Sequence, residues 1–173
     1  MSTTVKHPTG AETRALIQQI AACSCTKLFD SYGVALERVD PEAIPVLPVI
    51  LSGLVGFSGP GIRGATILAA SEKPIASSNP VDGSLGDWIA ELANQLVGRI
   101  KNQLLLRGAD LYVTTPIVLP GDHIAPMRRP DITPLVFAAD GGSVYVWIEL
   151  ETHADFVLGT PSEVVSEGEA LLF

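Results

Sequence analysis

The chain has 173 residues, 47% of them hydrophobic, and a formal net charge of −8 with only eleven lysines and arginines. This length and composition suffice for one domain with a sizeable core. The few cations, including the short basic pair Arg128-Arg129, argue against a nucleic-acid partner, because phosphate binding needs concentrated positive charge.

Residues 1–10 are expected to form a loose tail, and they lack the apolar run of a secretory signal. The longest apolar stretch, residues 44–57, is about half the length of a membrane span and contains prolines and glycines. We therefore expect a cytoplasmic protein that makes no membrane contact.

A first helix is predicted over residues 11–31, where apolar residues recur at helical spacing and Gly33 is a plausible stop. Cys23 and Cys25 are two residues apart on this helix, so their side chains diverge by about 200° and cannot bond to each other. The histidines show no ligand spacing relative to them. We expect small, buried or half-buried thiols in a reducing compartment rather than a metal site.

A glycine-rich hairpin is predicted next, with strands over residues 46–57 and 64–70 around a turn at 58–61. The spacing Gly-X-Gly-X2-Gly that begins at Gly59 also matches the dinucleotide-binding fingerprint. That fingerprint requires a helix directly after its third glycine, whereas the segment here is short and contains β-branched residues. We therefore interpret the glycines as hairpin residues. Residues 71–83 are expected to be a linker or a short helix.

The most informative segment is the helix predicted over residues 84–107. Ser84 is a fair N-cap with Asp87 three residues on, and Gly108 is a natural stop. At about 100° per residue, the apolar side chains form one stripe that faces the core. They are Leu85, Trp88, Ile89, Leu92, Ala93, Leu96, Val97, Ile100 and Leu104. The opposite arc, roughly 120° wide, holds Asp87, Glu91, Asn94, Gln95, Gly98, Lys101 and Asn102.

This polar arc begins with two acids and an amide and has no cation before Lys101, unlike most solvated helix faces. Asp87, Glu91 and Asn94 lie about one turn apart and project the same way. A carboxylate can pair with a partner's cation, and a carboxamide can hold a water in line with an electrophile. Gly98 would let a partner's backbone approach closely. The alternatives are an ordinary surface stripe and, for Gly98, a packing role within the chain.

The last third is predicted to form strands over residues 111–119, 133–139 and 143–152, with an edge or bulge at Pro116. Asp140-Gly141-Gly142 is a strong hairpin signal between the last two. The final strand alternates as a half-buried strand should. Its inward residues are Val144, Val146, Ile148 and Leu150, and its outward residues are Tyr145, Trp147, Glu149 and Glu151.

Two groups of polar residues in this third are given no catalytic role. Glu149 and Glu151, with His153, are explained as solvent-facing alternation. Asp122-His123 is interpreted as part of a loop. The order of the elements predicts an α+β fold in which two long helices pack against an antiparallel sheet.

Residues 87–98 (DWIAELANQLVG) resemble the signature helix of the CheC/CheX/FliY chemotaxis phosphatases, in which an Asp or Ser precedes Glu by four positions and Glu precedes Asn by three. The order of elements also resembles CheX, with a first helix, a glycine-rich hairpin, the motif helix and a strand that contains Thr114-Thr115-Pro116. The resemblance implies a CheC/CheX-like domain over residues 11–158. Residues 159–173 would then be a C-terminal extension.

The function that the resemblance implies is dephosphorylation of the aspartyl phosphate in a CheY-type receiver domain. Asn94 would orient the attacking water and Glu91 would pair with the receiver's active-site lysine, so both would be catalytic. The implied partner-binding residues are Asp87, Gln95, Gly98 and Lys101. The receiver would supply the Mg²⁺, so this chain would need no metal or cofactor of its own.

One such site per chain is expected, because the first helix lacks Glu-X2-Asn. CheX-type proteins pair as homodimers through their sheets, and the strand-rich last third would supply an edge for this. The alternative is a non-catalytic dimeric adaptor of the same fold that binds a signalling or flagellar partner. The presence of both Glu91 and Asn94 favours the enzyme, because an adaptor has no need to keep both.

Overall fold

The computed structural model describes residues 10–41, 49–121 and 132–161. These residues form the helices α1 (Gly10–Asp30), α2 (Glu72–Ser78) and α3 (Leu85–Leu105). They also form the strands β1 (Glu37–Val39), β2 (Leu51–Gly59), β3 (Ile62–Ala70), β4 (Tyr112–Val113), β5 (Ile117–Pro120), β6 (Leu135–Ala139) and β7 (Gly142–Thr152). Asp122-His123, Arg128-Arg129, most of the N-terminal tail and most of the C-terminal extension lie outside the described ranges.

The seven described strands form one antiparallel sheet in the order β1-β6-β7-β3-β2-β4, and β5 also pairs with β2. β3 pairs with β7 along its whole length, with Thr66 opposite Ile148 near the centre. The inward residues predicted for β7, Val144 to Leu150 in alternation, are all buried. The predicted α+β arrangement, two long helices on an antiparallel sheet, is confirmed.

The glycine-rich segment is a hairpin, as predicted, and strand β3 follows its turn directly where a dinucleotide site would need a helix. Gly61 in the turn has a φ of +74°, a conformation that other residues adopt only at a cost. A Cβ on Gly59 would collide with the carbonyl oxygen of Asp110. The glycines therefore serve the turn and close backbone packing. The part of the predicted first strand at residues 46–48 lies outside the described residues.

Helix α3 lies directly on strand β2, and Gly53 lets the two backbones approach closely. A Cβ built on Gly53 would lie 2.7 Å from the Cβ of Ala93 and 2.9 Å from the carbonyl oxygen of Ile89. All of the predicted apolar stripe is buried except Leu85, which is half-buried and packs against the core. The helix is therefore seated on the sheet along its apolar stripe.

We expect Gly53→Ala to lower the free energy of unfolding by about 1–3 kcal/mol, because the added methyl overpacks a backbone contact that cannot easily move apart. Urea denaturation monitored by circular dichroism measures the change. A midpoint equal to that of the unaltered protein would show that α3 is not held this closely to β2.

Both long helices end in the same capping motif. Gly33 and Gly108 have φ values of +77° and +86°. The N–H of Val34 donates to the carbonyl of Phe29, and the N–H of Gly33 donates to the carbonyl of Asp30. Ala109 and Gly108 make the equivalent bonds at the end of α3. These are Schellman motifs, so both glycines predicted as stops are confirmed in that role.

Three features of the strands differ from the sequence prediction. The strand predicted over residues 111–119 is two short strands, because the side-chain oxygen of Thr114 accepts the N–H of Gly56 where a ladder bond would continue. Strand β1 was not predicted; it is three residues long and pairs with β6. Tyr145 is buried on the face predicted to be outward, where it stacks on Trp147 and packs with Val136.

Other parts of the prediction concern single residues. Cys25 is buried, as predicted, which raises the pKa of its thiol, whereas Cys23 is exposed and the prediction of a buried or half-buried thiol is wrong for it. Side chains two positions apart on a helix diverge by about 200°, so only one of the two faces the core. Neither forms a disulfide. Glu149 and Glu151 are exposed, as predicted, and Glu151 pairs with Arg63. Of residues 159–173, Gly159 donates its N–H to the carbonyl of Arg107 at the end of α3, so the start of the extension contacts the domain.

Candidate functional site

Helix α3 presents its polar arc on the side opposite the buried stripe. Asp87, Glu91, Asn94 and Asn102 are exposed, and Gln95, Gly98 and Lys101 are half-buried. The arc therefore lies at the surface as the helical periodicity predicts, and the buried stripe fixes the helix beneath it. Neither Glu91 nor Asn94 is enclosed by the rest of the described chain.

The N-terminal end of the arc is set by the helix cap. The hydroxyl oxygen of Ser84 accepts the N–H of Asp87 at 3.3 Å, which is the predicted cap. Asp87 is thereby placed in the first turn, where the positive end of the helix dipole favours a carboxylate. Its side chain is exposed and lies one turn before Glu91.

The carboxylate of Glu91 accepts a hydrogen bond from within its own helix. The side-chain amide of Gln95 donates to Oε1 of Glu91 at 2.7 Å, across one helical turn. The hydroxyl of Tyr32, at the end of α1, donates to Oε1 of Gln95 at 3.0 Å. Gln95 thus uses both ends of its amide within the chain, and its predicted contact with a partner stays a prediction.

Tyr32 was not found by the sequence analysis, although it joins the arc to α1. Its ring meets the Trp88 ring edge-on, with centroids 4.9 Å apart. The indole N–H of Trp88 donates to the hydroxyl of Ser78 at 2.9 Å. No local pattern carries this information, because Tyr32 and Gln95 are 63 positions apart in the sequence.

Gly98 has open space where a side chain would stand. Among the described residues, no heavy atom lies within 4 Å of a Cβ built there, leaving aside the helix's own nearby backbone. The alternative that Gly98 serves packing within the chain is therefore not supported by the described residues. A partner can approach the helix backbone at this position, one turn beyond Asn94.

We expect Gly98→Ala to raise the free energy of unfolding by about 0.5–1 kcal/mol, because alanine is the better helix former and meets no obstacle. Urea denaturation beside Gly53→Ala tests this, since the same change has opposite expected signs at the two sites. Destabilisation by Gly98→Ala would mean that an intramolecular contact requires the glycine.

Lys101 lies 3.7 Å from a carboxylate oxygen of Asp110, so the cation that closes the arc has an acidic neighbour. Both groups keep contact with solvent, and such a pair is worth about 1 kcal/mol or less. Among the described residues, no three His, Cys, Asp or Glu side chains come together in a way that could hold a metal ion. In the same part of the chain, no helix is long and apolar enough to cross a membrane.

The arrangement provides one carboxylate and one carboxamide, three positions apart, on the exposed side of a helix whose other side is buried. A carboxylate can pair with a cation, and a carboxamide can both donate to and accept from a water molecule. Neither group is a strong nucleophile here. The site is therefore suited to act on a reactive centre that another molecule brings to it.

Comparisons with known proteins bear on the fold. No protein-family model and no curated protein sequence matches the chain. The fold is similar to the chemotaxis protein CheX from Vibrio vulnificus, with a TM-score of 0.65 and 21% identity over 78% of this chain and 96% of that chain. A CheC-like superfamily protein from Shewanella sp. PV-4 is similar at a TM-score of 0.66 and 23% identity, over 78% of this chain and 97% of that one.

A third similar structure is that of a complex, CheX–CheY–BeF3–Mg²⁺ from Borrelia burgdorferi. It has a TM-score of 0.59 and 16% identity, over 78% of this chain and 97% of the matched chain. At these identities the likeness establishes the fold. The CheC/CheX-like fold predicted from the signature helix is therefore confirmed.

Proposed function

We propose that this chain is an aspartyl-phosphate phosphatase that acts in the cytoplasm on a phosphorylated CheY-type receiver domain. The observation that carries the proposal is the exposure of Glu91 and Asn94 together on one face of a helix whose other face is buried. The fold supports it, because a structure of similar fold is a CheX in complex with CheY, BeF3 and Mg²⁺.

The reaction is hydrolysis of the acyl phosphate. A water oxygen bonds to phosphorus, the bond from phosphorus to the aspartyl oxygen breaks, and the products are the free carboxylate and inorganic phosphate. In phosphoryl transfer the protein contributes mainly by positioning and electrostatics. A positioned carboxamide fits this need, because it can hold the water without itself changing protonation.

Each residue of the arc has a role in this proposal. Asn94 orients the attacking water in line with the phosphorus, and Glu91 pairs with the lysine of the receiver's site. Asp87, Gln95, Gly98 and Lys101 form the surrounding contact surface. The open space at Gly98 lets the receiver's backbone come close enough for Asn94 to enter its site. Mg²⁺, held by the receiver, would neutralise charge on the phosphoryl group.

A homodimer stays part of the proposal. In the described sheet, β6 and β7 are paired on both sides, whereas β1 lies at one end of the strand order and β4 and β5 at the other. β5, the longer of the two strands at that end, would therefore carry an edge-to-edge pairing of two sheets.

Phosphate release from a phosphorylated receiver encoded in the same genome tests the function. We expect substoichiometric amounts of this protein to speed phosphate release by about 10-fold or more, because a water held in line with the phosphorus attacks more readily than a water from bulk solvent. Binding to the receiver with an unchanged rate of release would favour the adaptor of the same fold. An unchanged rate for every receiver of the genome would contradict the phosphatase.

A further inference from the structure

A chain of two hydrogen bonds connects the end of α1 to the exposed carboxylate of α3. Tyr32 donates to Gln95 at 3.0 Å and Gln95 donates to Glu91 at 2.7 Å. We propose that Tyr32, acting through Gln95, is a positioning residue that holds Glu91 in one rotamer before a partner arrives. This inference rests on the proposed function for its consequence, since Glu91 is there the group that pairs with the receiver's cation.

The chemistry of the three groups fixes the direction of both bonds. An ionised carboxylate can only accept hydrogen bonds, so the end of Gln95 that faces Glu91 must be its NH₂ group. The carbonyl oxygen of Gln95 then faces Tyr32, and the phenol must donate to it. The amide cannot be reversed without placing two acceptors against each other. Both hydrogen bonds therefore run in the same direction, with Tyr32 as the first donor and Glu91 as the last acceptor.

Tyr32 is itself held on several sides. It follows the last residue of α1 by two positions, next to Gly33 of the Schellman motif, and its own N–H donates to the carbonyl of Phe29. Its ring packs edge-on against buried Trp88, which in turn donates to Ser78 of α2. The hydroxyl of Tyr32 is therefore held at a fixed position relative to α3, although Tyr32 itself follows α1 and is not a residue of the arc.

The consequence for recognition is entropic. A free glutamate side chain loses rotamer freedom when it forms an ion pair, and this loss weakens binding. In the structure Gln95 already orders Glu91 through Oε1, and Oε2 takes no part in that chain of bonds. One carboxylate oxygen is thus engaged within the protein while the group as a whole stays exposed. Asn94, three positions on, takes no part in these two hydrogen bonds, so Tyr32 and Gln95 position Glu91 alone.

Tyr32→Phe is the sharpest test, because it removes the hydroxyl and keeps the ring that packs on Trp88. We expect kcat/KM for receiver dephosphorylation to fall roughly 3- to 10-fold, because Glu91 must then lose its rotamer freedom when the receiver binds. The thermal midpoint should fall by only about 2–4 °C, because one partly buried hydrogen bond is lost. Tyr112→Phe is the matched control, since Tyr112 is 74% exposed on β4 and is not one of the hydrogen-bonded residues Tyr32, Gln95 and Glu91. It should leave kcat/KM unchanged.

A double-mutant cycle separates positioning from a general structural effect. In the Glu91→Ala background, Tyr32→Phe should have no further effect on kcat/KM, because the group that it positions is gone. An equal loss in both backgrounds would show that Tyr32 does not act through Glu91, and full activity of Tyr32→Phe alone would overturn the proposal equally.

The NMR signals of the Gln95 side-chain NH₂ group provide a readout that needs no activity. We expect both Tyr32→Phe and Glu91→Ala to shift these signals, while Tyr112→Phe leaves them in place. If the unaltered protein fails to release phosphate but these shifts occur, the proposed function is wrong and the positioning of Glu91 stands. If the signals do not move in Tyr32→Phe, Tyr32 does not position Glu91 through Gln95, and this conclusion holds whether or not the protein is an active phosphatase.

Discussion

Replacement of Asn94 by alanine is expected to abolish the accelerated loss of phosphate from the receiver, with a fall in rate of about 100-fold or more. The amide is the group that holds the attacking water, and alanine can neither donate nor accept. Asn94 is exposed and no core contact depends on its side chain, so stability should be unchanged. Stopped-flow measurement of phosphate release, with the receiver in excess, checks the rate.

Gln103→Ala is the matched control for this variant. Gln103 is also an exposed carboxamide of α3, but it lies outside the polar arc. The control should retain the full rate, and both variants should bind the beryllofluoride-loaded receiver as the unaltered protein does. Equal turnover by Asn94→Ala and the unaltered protein would remove Asn94 from the mechanism and leave the fold without its proposed chemistry.

Replacement of Glu91 by alanine is expected to weaken binding to the phosphorylated receiver. A charge pair that is desolvated at an interface is worth about 2 kcal/mol or more when one partner is removed, which corresponds to a roughly 30-fold rise in Kd. Isothermal titration with the receiver in its beryllofluoride form measures this affinity without turnover. The variant should fold normally because Glu91 is exposed.

Glu91→Gln separates the charge from the shape of the side chain. Its carbonyl oxygen can still accept from Gln95, but no negative charge remains for the receiver's lysine. We expect an affinity close to that of Glu91→Ala. The Kd should also depend less on salt than in the unaltered protein, because the variant lacks the charge pair that salt screens. A Kd for Glu91→Gln equal to that of the unaltered protein would mean that Glu91 contributes by packing or hydrogen bonding alone.

Much of the candidate site follows from the sequence because it lies on one helix. At 3.6 residues per turn, the order of residues alone decides which side chains share a face. The exposure of Asp87, Glu91 and Asn94 is what that rule predicts. The rule places Gln95 on the arc, but it does not predict that the amide oxygen of Gln95 accepts a hydrogen bond from Tyr32.

The strands divide in the same way. The hairpin between β6 and β7 was predicted because Asp140-Gly141-Gly142 is a local turn signal, and Gly141 indeed has a φ of +67°. The strand β1 has no such signal: its three residues are largely exposed, and it exists through its pairing with β6. The break after β4 likewise depends on a hydroxyl that meets a glycine N–H from β2.

The sequence by itself determined the amphipathic helix, its caps and the two glycine-marked hairpins, because each depends on residues within a few positions of one another. The α+β class followed from the order of these elements along the chain. The tertiary structure alone decided that Gly53 seats α3 on the sheet, that Gly98 opens to free space, and that Tyr32 is connected to Glu91 through Gln95. These are contacts between distant segments, and their geometry exists only once the shared core has packed the helices against the sheet.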